Sequence, residues 1–379
     1  MKYLLPGNVH DTALKRIGWL FDEFDKIAVS FSGGKDSTVV VQLALQVARE
    51  KGRLPLTVVW LDQECEHDTT VAYARELFSH PDIRARWYQI PFRLFNATAH
   101  DSAHSWLNVW GEGEEWVRDK ESDSIHDNPF TADRFLECMI AIGDYEVPHG
   151  VMLTGVRAEE SPARRHGLLN YATYKWATWG SRGGGSGMVY RGKLPKQHHL
   201  LMHPIYDWTY RDVWKAIYDG GWPYNRLYDF MHQYGVPHRS MRVSNYHHET
   251  AVNTLFWLQE VEPGTWERAT RRVSGIATAG QLGARDWFID DLPFMFRSWR
   301  EYRDYLLQHL VTDLVQRREF RKQIEMYDRI MPYVDSEDLA KQGVQAILVN
   351  DYHSTKLMNY YITQRARYWR DQRPARQRG

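Results

Sequence analysis

Alternating apolar and polar stretches in the first 245 residues predict a series of strands and helices. Leu14, Ile17 and Leu20 recur near helical spacing, whereas a short, mostly apolar run such as 26–31 is typical of a buried parallel strand. The predicted strands are 26–31, 56–61, 87–91, 151–154 and 202–206, and the predicted helices are 11–25, 38–50, 69–79 and one beginning near 209. Because strands and helices alternate, the pattern predicts a parallel sheet with right-handed crossovers.

The distribution of strand-like, helical and basic stretches along the chain predicts three parts. We expect an α/β domain over residues 1–244, in which residues 93–149 form an insertion or a helical elaboration. Helical patterns dominate afterwards and predict a mainly helical domain over 245–365, followed by a basic tail at 366–379. The predicted fold class is therefore α/β, a parallel sheet flanked by helices, with a mainly helical C-terminal domain.

Composition narrows the class of protein. The chain has 379 residues, and its 48 Lys and Arg balance its 48 Asp and Glu, which argues against a uniformly basic nucleic-acid wrapper. Two cysteines cannot build a disulfide framework, a four-cysteine zinc site or a four-cysteine iron–sulfur cluster. No apolar run is long enough for a membrane-spanning helix, so we expect a cytoplasmic protein without a membrane partner.

Six residues between the first predicted strand and its helix carry the strongest chemical signal: Ser32-Gly33-Gly34-Lys35-Asp36-Ser37. Adjacent glycines let backbone N–H groups converge, and the helix adds its positive end, which predicts a phosphate site. The two serine hydroxyls can donate to phosphate oxygens, and Lys35 can supply charge. Asp36 fits either a metal-ion partner or an acceptor that fixes the loop. For a lone Gly-Gly pair, an ordinary tight turn would be the better interpretation.

This loop resembles the PP-loop of the N-type ATP pyrophosphatases, which bind the β,γ-pyrophosphate of ATP and cut between the α- and β-phosphates. It differs from the G-x-x-x-x-G-K-[ST] nucleotide loop, because no Gly-Lys-Ser/Thr occurs in the chain. The resemblance implies the adenine nucleotide alpha hydrolase-like (HUP/PP-loop) fold. It also implies ATP and Mg²⁺ as ligands.

Two further stretches narrow the family. Residues 155–164 (GVRAEESPAR) are similar to the G-x-R-x-x-E-S-x-x-R segment of phosphoadenosine-phosphosulfate (PAPS) reductases. Residues 204–228 resemble the P-L-x-D-W…V-W…Y-N-x-L-Y stretch of the same family, in which Asp207 and Trp208 are expected to be structural. The resemblance covers about residues 25–240.

The chain differs from the reductases of this family in the number and position of its cysteines. Sulfonucleotide reductases carry a nucleophilic Cys in a C-terminal tail, but Cys65 and Cys138 lie far upstream, and residues 235–242 contain none of the paired cysteines of the cluster-bearing relatives. We therefore expect no iron–sulfur cluster, and we expect Cys65 to be a small buried or half-buried residue rather than a nucleophile. The helical extension, including Trp266 and residues 271–275, resembles that of a regulator-type branch associated with phage and other mobile elements.

The candidate site residues follow from these motifs, since ligands of parallel sheets bind outside the carboxyl ends of the strands. The expected catalytic residues are Lys35, Asp36, Arg157 and Arg164. The expected nucleotide-binding residues are Ser32, Gly33, Gly34, Asp36, Ser37, Leu61, Asp62, Gly155 and Arg157. The resemblance implies that the Leu61–Asp62 end faces the nucleoside. Asp36 and Asp62 are the candidates for Mg²⁺.

Other readings of individual residues stay open. Arg157 could instead form a surface salt bridge with Glu160. The glycine-rich stretch 180–187 fits either a lid that carries Arg182 or a plain surface loop. His199 and His203 have the i,i+4 spacing of a zinc pair on a helix, but Pro204 and the predicted strand oppose a helix there, so we expect no zinc.

Three functions remain. The first is cleavage of ATP to AMP and pyrophosphate, or adenylation of an unknown acceptor in a mobile-element, defence or nucleic-acid modification context. The second is a sulfonucleotide reductase that uses Cys65 and an external thiol. The third is a non-catalytic interaction protein that retains a nucleotide fold. ATP is the expected ligand, and a nucleic-acid or protein partner is expected to contact the helical domain and the basic tail.

Overall fold

The computed structural model describes residues 6–372 except 100, 170–171, 182–196, 239, 244, 249–250, 282–289 and 352–353. The chain forms two compact units, one of residues 1–94 with 108–245 and one of residues 95–107 with 246–379. Residues 95–107, inside the predicted insertion, thus group with the C-terminal residues. The glycine-rich segment from Arg182 onward falls outside the described residues, as do residues 373–379 of the predicted tail.

A six-stranded sheet forms the centre of the first unit, in the order β3-β2-β1-β6-β8-β7. The strands are β1 (Ile27–Ser30), β2 (Leu56–Leu61), β3 (Ile83–Tyr88), β4 (Phe92–Phe95), β5 (Trp106–Val109), β6 (Val151–Leu153), β7 (Gly180–Ser181) and β8 (Leu200–Met202). Strands β4 and β5 form a separate two-stranded sheet. Every pairing in the larger sheet is parallel except that of β7 with β8. The predicted parallel sheet is confirmed.

Two strands begin earlier than the sequence predicts. Strand β3 pairs along its whole length with β2, from Leu56 opposite Ile83 to Leu61 opposite Tyr88. It lies at the edge of the sheet and exposes Arg84, so its first half lacks the apolar run on which the prediction of 87–91 relied. Strand β8 covers 200–202 rather than 202–206. It pairs with the short β6, from Val151 opposite Leu200 to Leu153 opposite Met202, and ends where β6 ends.

Seven helices accompany this sheet in the described part of the first unit. They are α1 (Val9–Glu23), α2 (Lys35–Glu50), α3 (Asp68–Phe78), α4 (Phe135–Glu146), α5 (Pro162–Leu169), α6 (Tyr210–Gly220) and α7 (Leu227–Gln233). Helix α2 packs most deeply, with Val39, Val40 and Leu43 fully buried in the core. Helix α6 begins where the sequence predicts, with Thr209 as its N-cap and Asp212 completing a capping box.

The order of the strands creates a crevice beside β1. Successive strands run from β1 outward to β2 and β3, whereas β6 pairs with the other side of β1. The loops that follow β1 and β6 therefore leave the sheet side by side at its carboxyl edge. Ligands of open α/β sheets bind at such a switch point.

The second unit is helical in its described residues from Tyr246 onward, as predicted. A 3₁₀ helix (Val252–Trp257) precedes α8 (Leu258–Val261), α9 (Pro263–Arg272), α10 (Ile276–Ala279), α11 (Trp299–His309), α12 (Leu314–Ile330), α13 (Ser336–Leu348) and α14 (Thr355–Asp371). One apolar cluster includes Leu306, Phe320 and Ile347, and another includes Met331 and Leu357. In the part of the chain that the structure describes, no helix has the length and apolar character needed to cross a bilayer.

Candidate functional site

The loop between β1 and α2 has the backbone that the sequence predicts. Gly33 has a φ of +69°, and a Cβ there would lie 2.4 Å from Cγ2 of Thr70. Gly34 is the N-cap of α2. The first N–H groups of a helix have no acceptor within the helix; that of Lys35 donates to Oη of Tyr228 at 3.3 Å. The loop thus directs the positive end of α2 toward the carboxyl edge of the sheet.

Side chains close this loop from within. Oγ of Ser37 donates to the carbonyl of Gly34 at 2.9 Å and accepts from the N–H of Ser32 at 3.3 Å. Nδ2 of Asn225 donates to the carbonyl of Gly33 at 3.0 Å. Ser37 therefore stabilises the loop itself, and Oγ of the exposed Ser32 lies 3.2 Å from Oγ of Ser37.

Asp36 lies between two cations. Nζ of Lys35 is 2.9 Å from Oδ2 of Asp36, and Nε of Arg157 is 2.5 Å from Oδ1. Arg157 is buried, with 4% of its surface exposed, and its Nε lies 3.8 Å from Glu160. The main partner of Arg157 is thus Asp36, not Glu160, and the second motif is tied directly to the loop.

Neighbouring charges determine the protonation states of Asp36 and Lys35. Burial alone would raise the pKa of Asp36, but the charges of Lys35 and Arg157 hold the pKa below its ordinary value. Burial alone would lower the pKa of Lys35, but Tyr228 and Asp36 raise the pKa above its ordinary value. The carboxylate and the ammonium are therefore both charged at neutral pH.

Gly155 explains why the second motif begins with glycine. A Cβ at Gly155 would lie 2.7 Å from the backbone carbon of Asp36 and 2.8 Å from the backbone nitrogen of Ser37. Backbone atoms at the start of a helix cannot move aside as a flexible side chain could. Only glycine therefore lets the loop after β6 approach α2 this closely.

Arg164 adds positive charge beside the loop. It forms an ion pair with Glu160, and its N–H donates to Oγ of Ser161 at 3.1 Å. Burial and the charges of Arg242 and Arg157 lower the pKa of Arg164 to about 10, which still leaves it cationic at neutral pH. The sequence analysis did not single out Arg242. It follows the third motif in a stretch without a recognisable pattern, so only the folded chain reveals its position.

Leu61 and Asp62 lie in a buried network at the end of β2. Asp62 is fully buried, and Nη2 of Arg118 donates to both of its carboxylate oxygens at 2.6 Å. Its Oδ2 also accepts from Nε1 of Trp87 at 2.8 Å and Nε2 of Gln89 at 2.9 Å. The backbone of Asp62 is engaged as well, since its N–H donates to the carbonyl of Tyr88 at 2.9 Å and its carbonyl accepts from Nε1 of Trp110 at 2.9 Å. Contact of the Leu61–Asp62 end with a nucleoside stays a prediction.

Glu66 is a buried acid that the sequence analysis did not identify. Burial and the charge of Asp62 raise its pKa to about 8, although Arg118 acts in the opposite direction. Among the described residues, its Oε2 atom has no hydrogen-bond partner. Glu66 therefore keeps its proton at neutral pH, which limits the negative charge at the end of β2.

Both thiols and the two histidines with zinc-like spacing, His199 and His203, are buried. Cys65 and Cys138 are both fully buried, and burial raises the pKa of Cys138 to about 12. Nδ1 of His199 lies 2.7 Å from Oδ1 of Asp144. His203 follows β8, and burial together with the charge of Arg164 lowers its pKa to about 3. The prediction that Cys65 is buried is confirmed.

The two magnesium candidates do not fit a metal site as they stand. Both oxygens of Asp36 face cations, and both oxygens of Asp62 accept from Arg118. No cluster of three or more ligating side chains occurs among the described residues.

The fold and this loop together define a nucleotide-binding protein of the PP-loop type. Residues 26–233, more than half of the chain, match the phosphoadenosine phosphosulfate reductase domain. The chain belongs to this family. Residues 235–367 match a domain of unknown function, DUF3440.

Individual proteins resemble this chain over different shares of its length. The uncharacterized protein YbdN of Escherichia coli is 27% identical over an alignment of 341 residues that covers 86% of this chain and 80% of YbdN. Subunit 2 of sulfate adenylyltransferase from Mycobacterium bovis is 26% identical over 197 residues, 52% of this chain. This chain spans only 55% of the mycobacterial protein. A crystal structure of the PAPS reductase of Candida auris is 14% identical and covers 65% of this chain and 98% of its own, with a TM-score of 0.32.

Proposed function

We propose that this chain is an enzyme that binds ATP at residues 32–37 and cleaves the bond between the α- and β-phosphates. The observation that carries this proposal is the junction of Lys35, Asp36 and Arg157 at the start of α2, with Arg164 beside it. Two cations already neutralise Asp36, and the helix end adds further positive potential. A polyphosphate is the ligand that this combination suits.

Each part of the junction has a role in the proposed reaction. The loop backbone and Lys35 hold the β- and γ-phosphates. Arg157 and Arg164 stabilise the negative charge that moves to the leaving pyrophosphate, since a guanidinium binds phosphate oxygens in a planar fork. Asp36 is a positioning residue that holds Lys35 and Arg157 in place. An oxygen nucleophile attacks the α-phosphorus, and the pyrophosphate leaves with the electron pair of the broken P–O bond.

The nucleophile decides whether the product is AMP or an adenylylated acceptor. Water would give AMP, with its proton released to solvent. A mycobacterial relative is named as an adenylyltransferase subunit, which supports transfer to an acceptor as the second form of the same chemistry. The acceptor, and a context in defence, mobile elements or nucleic-acid modification, belong to this proposal as hypotheses.

The test is to incubate the purified chain with ATP labelled at the α-phosphate and with Mg²⁺. We expect labelled AMP, or a labelled acceptor, together with pyrophosphate. Arg164→Gln should lower the rate, whereas Arg165→Gln, which removes a neighbouring exposed arginine, should not. ADP and phosphate as the sole products would overturn the bond assignment.

Calorimetry separates binding from turnover. If ATP binds to the chain without being cleaved, the protein retains a nucleotide site in a non-catalytic, interaction role. If no adenine nucleotide binds in the presence of Mg²⁺, the proposed function is wrong.

The family name supports a sulfonucleotide as a second candidate substrate. Reduction requires an accessible thiolate, and Cys65 and Cys138 are both buried. Sulfite release from PAPS with an external thiol donor, lost in Cys65→Ser, would support the reductase instead.

A further inference from the structure

The last turns of α14 leave the packed part of the second unit. Leu357 near the start of the helix is buried, whereas every residue of the segment 365–372, which we call the α14 tip, is exposed. Trp369 keeps 60% of its surface exposed. Tyr368 beside it keeps 37% exposed, so two adjacent rings form an aromatic patch next to several cations, and contiguous patches mark binding surfaces more often than single side chains do.

Aromatic rings and arginines alternate at this tip. The ring of Tyr368 stacks on that of Tyr333, with centroids 4.7 Å apart and planes 29° from parallel. Trp369 meets Tyr368 edge to face at 5.4 Å. The guanidinium of Arg365 lies 5.9 Å from the ring of Tyr361, and its Nη1 donates to the hydroxyl of that tyrosine at 3.2 Å. The contacts hold Tyr368 and Arg365 in fixed orientations.

The α14 tip is predominantly positive. It contains Arg365, Arg367 and Arg370, against one acid, Asp371, which is 3.1 Å from Arg370. Cations in a last helical turn interact well with the helix dipole, which accounts for Arg370 alone. The dipole does not account for Arg365, more than a turn earlier, or for an exposed tryptophan.

The arrangement around the helix axis discriminates between partners. At about 100° per residue, Arg365 falls between Tyr368 and Trp369 on the helical wheel, so a cation and two rings share one face. Arg367 and Arg370 lie about 100° or more from both rings, but Arg365 places a cation inside the aromatic face, where a helix lying on a membrane carries apolar side chains. A single-stranded nucleic acid presents phosphates and unstacked bases side by side, and it matches such mixed spacing.

We propose that the α14 tip, with Tyr333, binds single-stranded nucleic acid, in which the arginines contact phosphates and Trp369 stacks on a base. This interaction is independent of the proposed ATP chemistry. Guanidinium–phosphate contacts make the binding salt-dependent, and stacking makes it tolerant of sequence. Duplex DNA keeps its bases stacked inside and offers no ring face to Trp369.

The test measures fluorescence anisotropy of a labelled single-stranded oligonucleotide of mixed sequence with the full chain, over a range of salt concentrations. Trp369→Ala should weaken binding at least about fivefold, because stacking on an aromatic ring contributes on the order of 1 kcal/mol or more per base. Trp176→Ala is the matched control, since Trp176 is 64% exposed in the first unit. It should leave binding unchanged.

Charge is tested separately. Arg365→Gln with Arg367→Gln should weaken binding and flatten its salt dependence, whereas Arg300→Gln with Arg318→Gln removes the same charge from other exposed helical positions and should have little effect. Equal effects of the two pairs, or of Trp369→Ala and Trp176→Ala, would overturn the proposal. So would tighter binding to the matched duplex, or binding to phosphatidylserine vesicles without binding to the oligonucleotide.

Discussion

Nε of Arg157 lies 2.5 Å from Oδ1 of Asp36, although 121 positions separate the two residues in the chain. This contact joins the loop after β6 to the loop after β1 at the carboxyl edge of the sheet. Both groups are largely buried, and Lys35 occupies the other carboxylate oxygen. The two strongest motifs of the sequence therefore form one charged unit.

Replacing Arg157 by Gln should disrupt that unit. Removing one partner of a buried ion pair costs about 3–5 kcal/mol, and we expect the lower end because Lys35 still pairs with Asp36. The rate of ATP cleavage should also fall in this variant. Urea unfolding measures the stability, and the exposed Arg165→Gln is the control for loss of an arginine charge. An unchanged free energy of unfolding would contradict the assigned pairing.

Three glycines of the site should differ in their tolerance of alanine. Gly155→Ala places Cβ 2.7 Å from the backbone of Asp36 and should destabilise the chain by about 1–3 kcal/mol. Gly33→Ala meets both a positive φ and Thr70, and should also destabilise. At Gly34 a Cβ would find only contacts of 3.5 Å or longer, so Gly34→Ala should change the free energy of unfolding by less than about 1 kcal/mol. Similar losses at Gly34 and Gly155 would argue against this packing.

Glu66 should make stability depend on pH. Its pKa is raised from 4.5 to about 8 in the folded chain, so between these values the unfolded state releases a proton that the folded state keeps. Stability therefore falls as pH rises through this window, by up to about 1.4 kcal/mol per pH unit. Below pH 4.5 both states are protonated and the effect vanishes.

Glu66→Gln should remove this dependence, because glutamine resembles the protonated acid and does not titrate. The variant should gain stability over the unmodified chain as pH increases from 5 to 8, measured by urea unfolding at each pH. Glu76→Gln, at an exposed position of α3, is the matched control. A stability difference that does not vary with pH would show that Glu66 is ionised in the folded chain.

The fully buried Cys65 should be dispensable for chemistry. Cys65→Ser introduces a hydroxyl at a buried position, so we also include Cys65→Ala, which avoids an unpaired polar group at the cost of a small cavity. Both variants should retain ATP cleavage, measured as pyrophosphate release. Slow reaction of the folded chain with a thiol reagent, and rapid reaction after unfolding, would provide an independent check of burial.

The local patterns predicted the parallel sheet well. Strand β2 occupies the predicted residues 56–61. A strand that is buried on both faces is a nearly continuous apolar run, and such a run is visible in the sequence alone. For the edge strand β3 the prediction was 87–91, whereas the strand is Ile83–Tyr88. Its first half contains the exposed Arg84 and Ala85, so it lacks the apolar run by which a buried strand is recognised. The motifs located the loop, but not the hydrogen bonds inside it. The sequence makes Ser37 a candidate donor to phosphate, and only the structure shows that its hydroxyl donates to the carbonyl of Gly34.

By itself, the sequence determined the family, the glycine-containing loop at 32–37 and the order of β1, β2, β3 and β6 and of α1, α2, α3 and α6, because these depend on residues that are neighbours in the chain. Only the tertiary structure decided which charges meet. Arg242 beside Arg164, Arg118 on Asp62 and the protonated Glu66 all depend on residues brought together from distant segments. Their protonation follows from burial and from opposing charges, and both quantities exist only once the chain has folded.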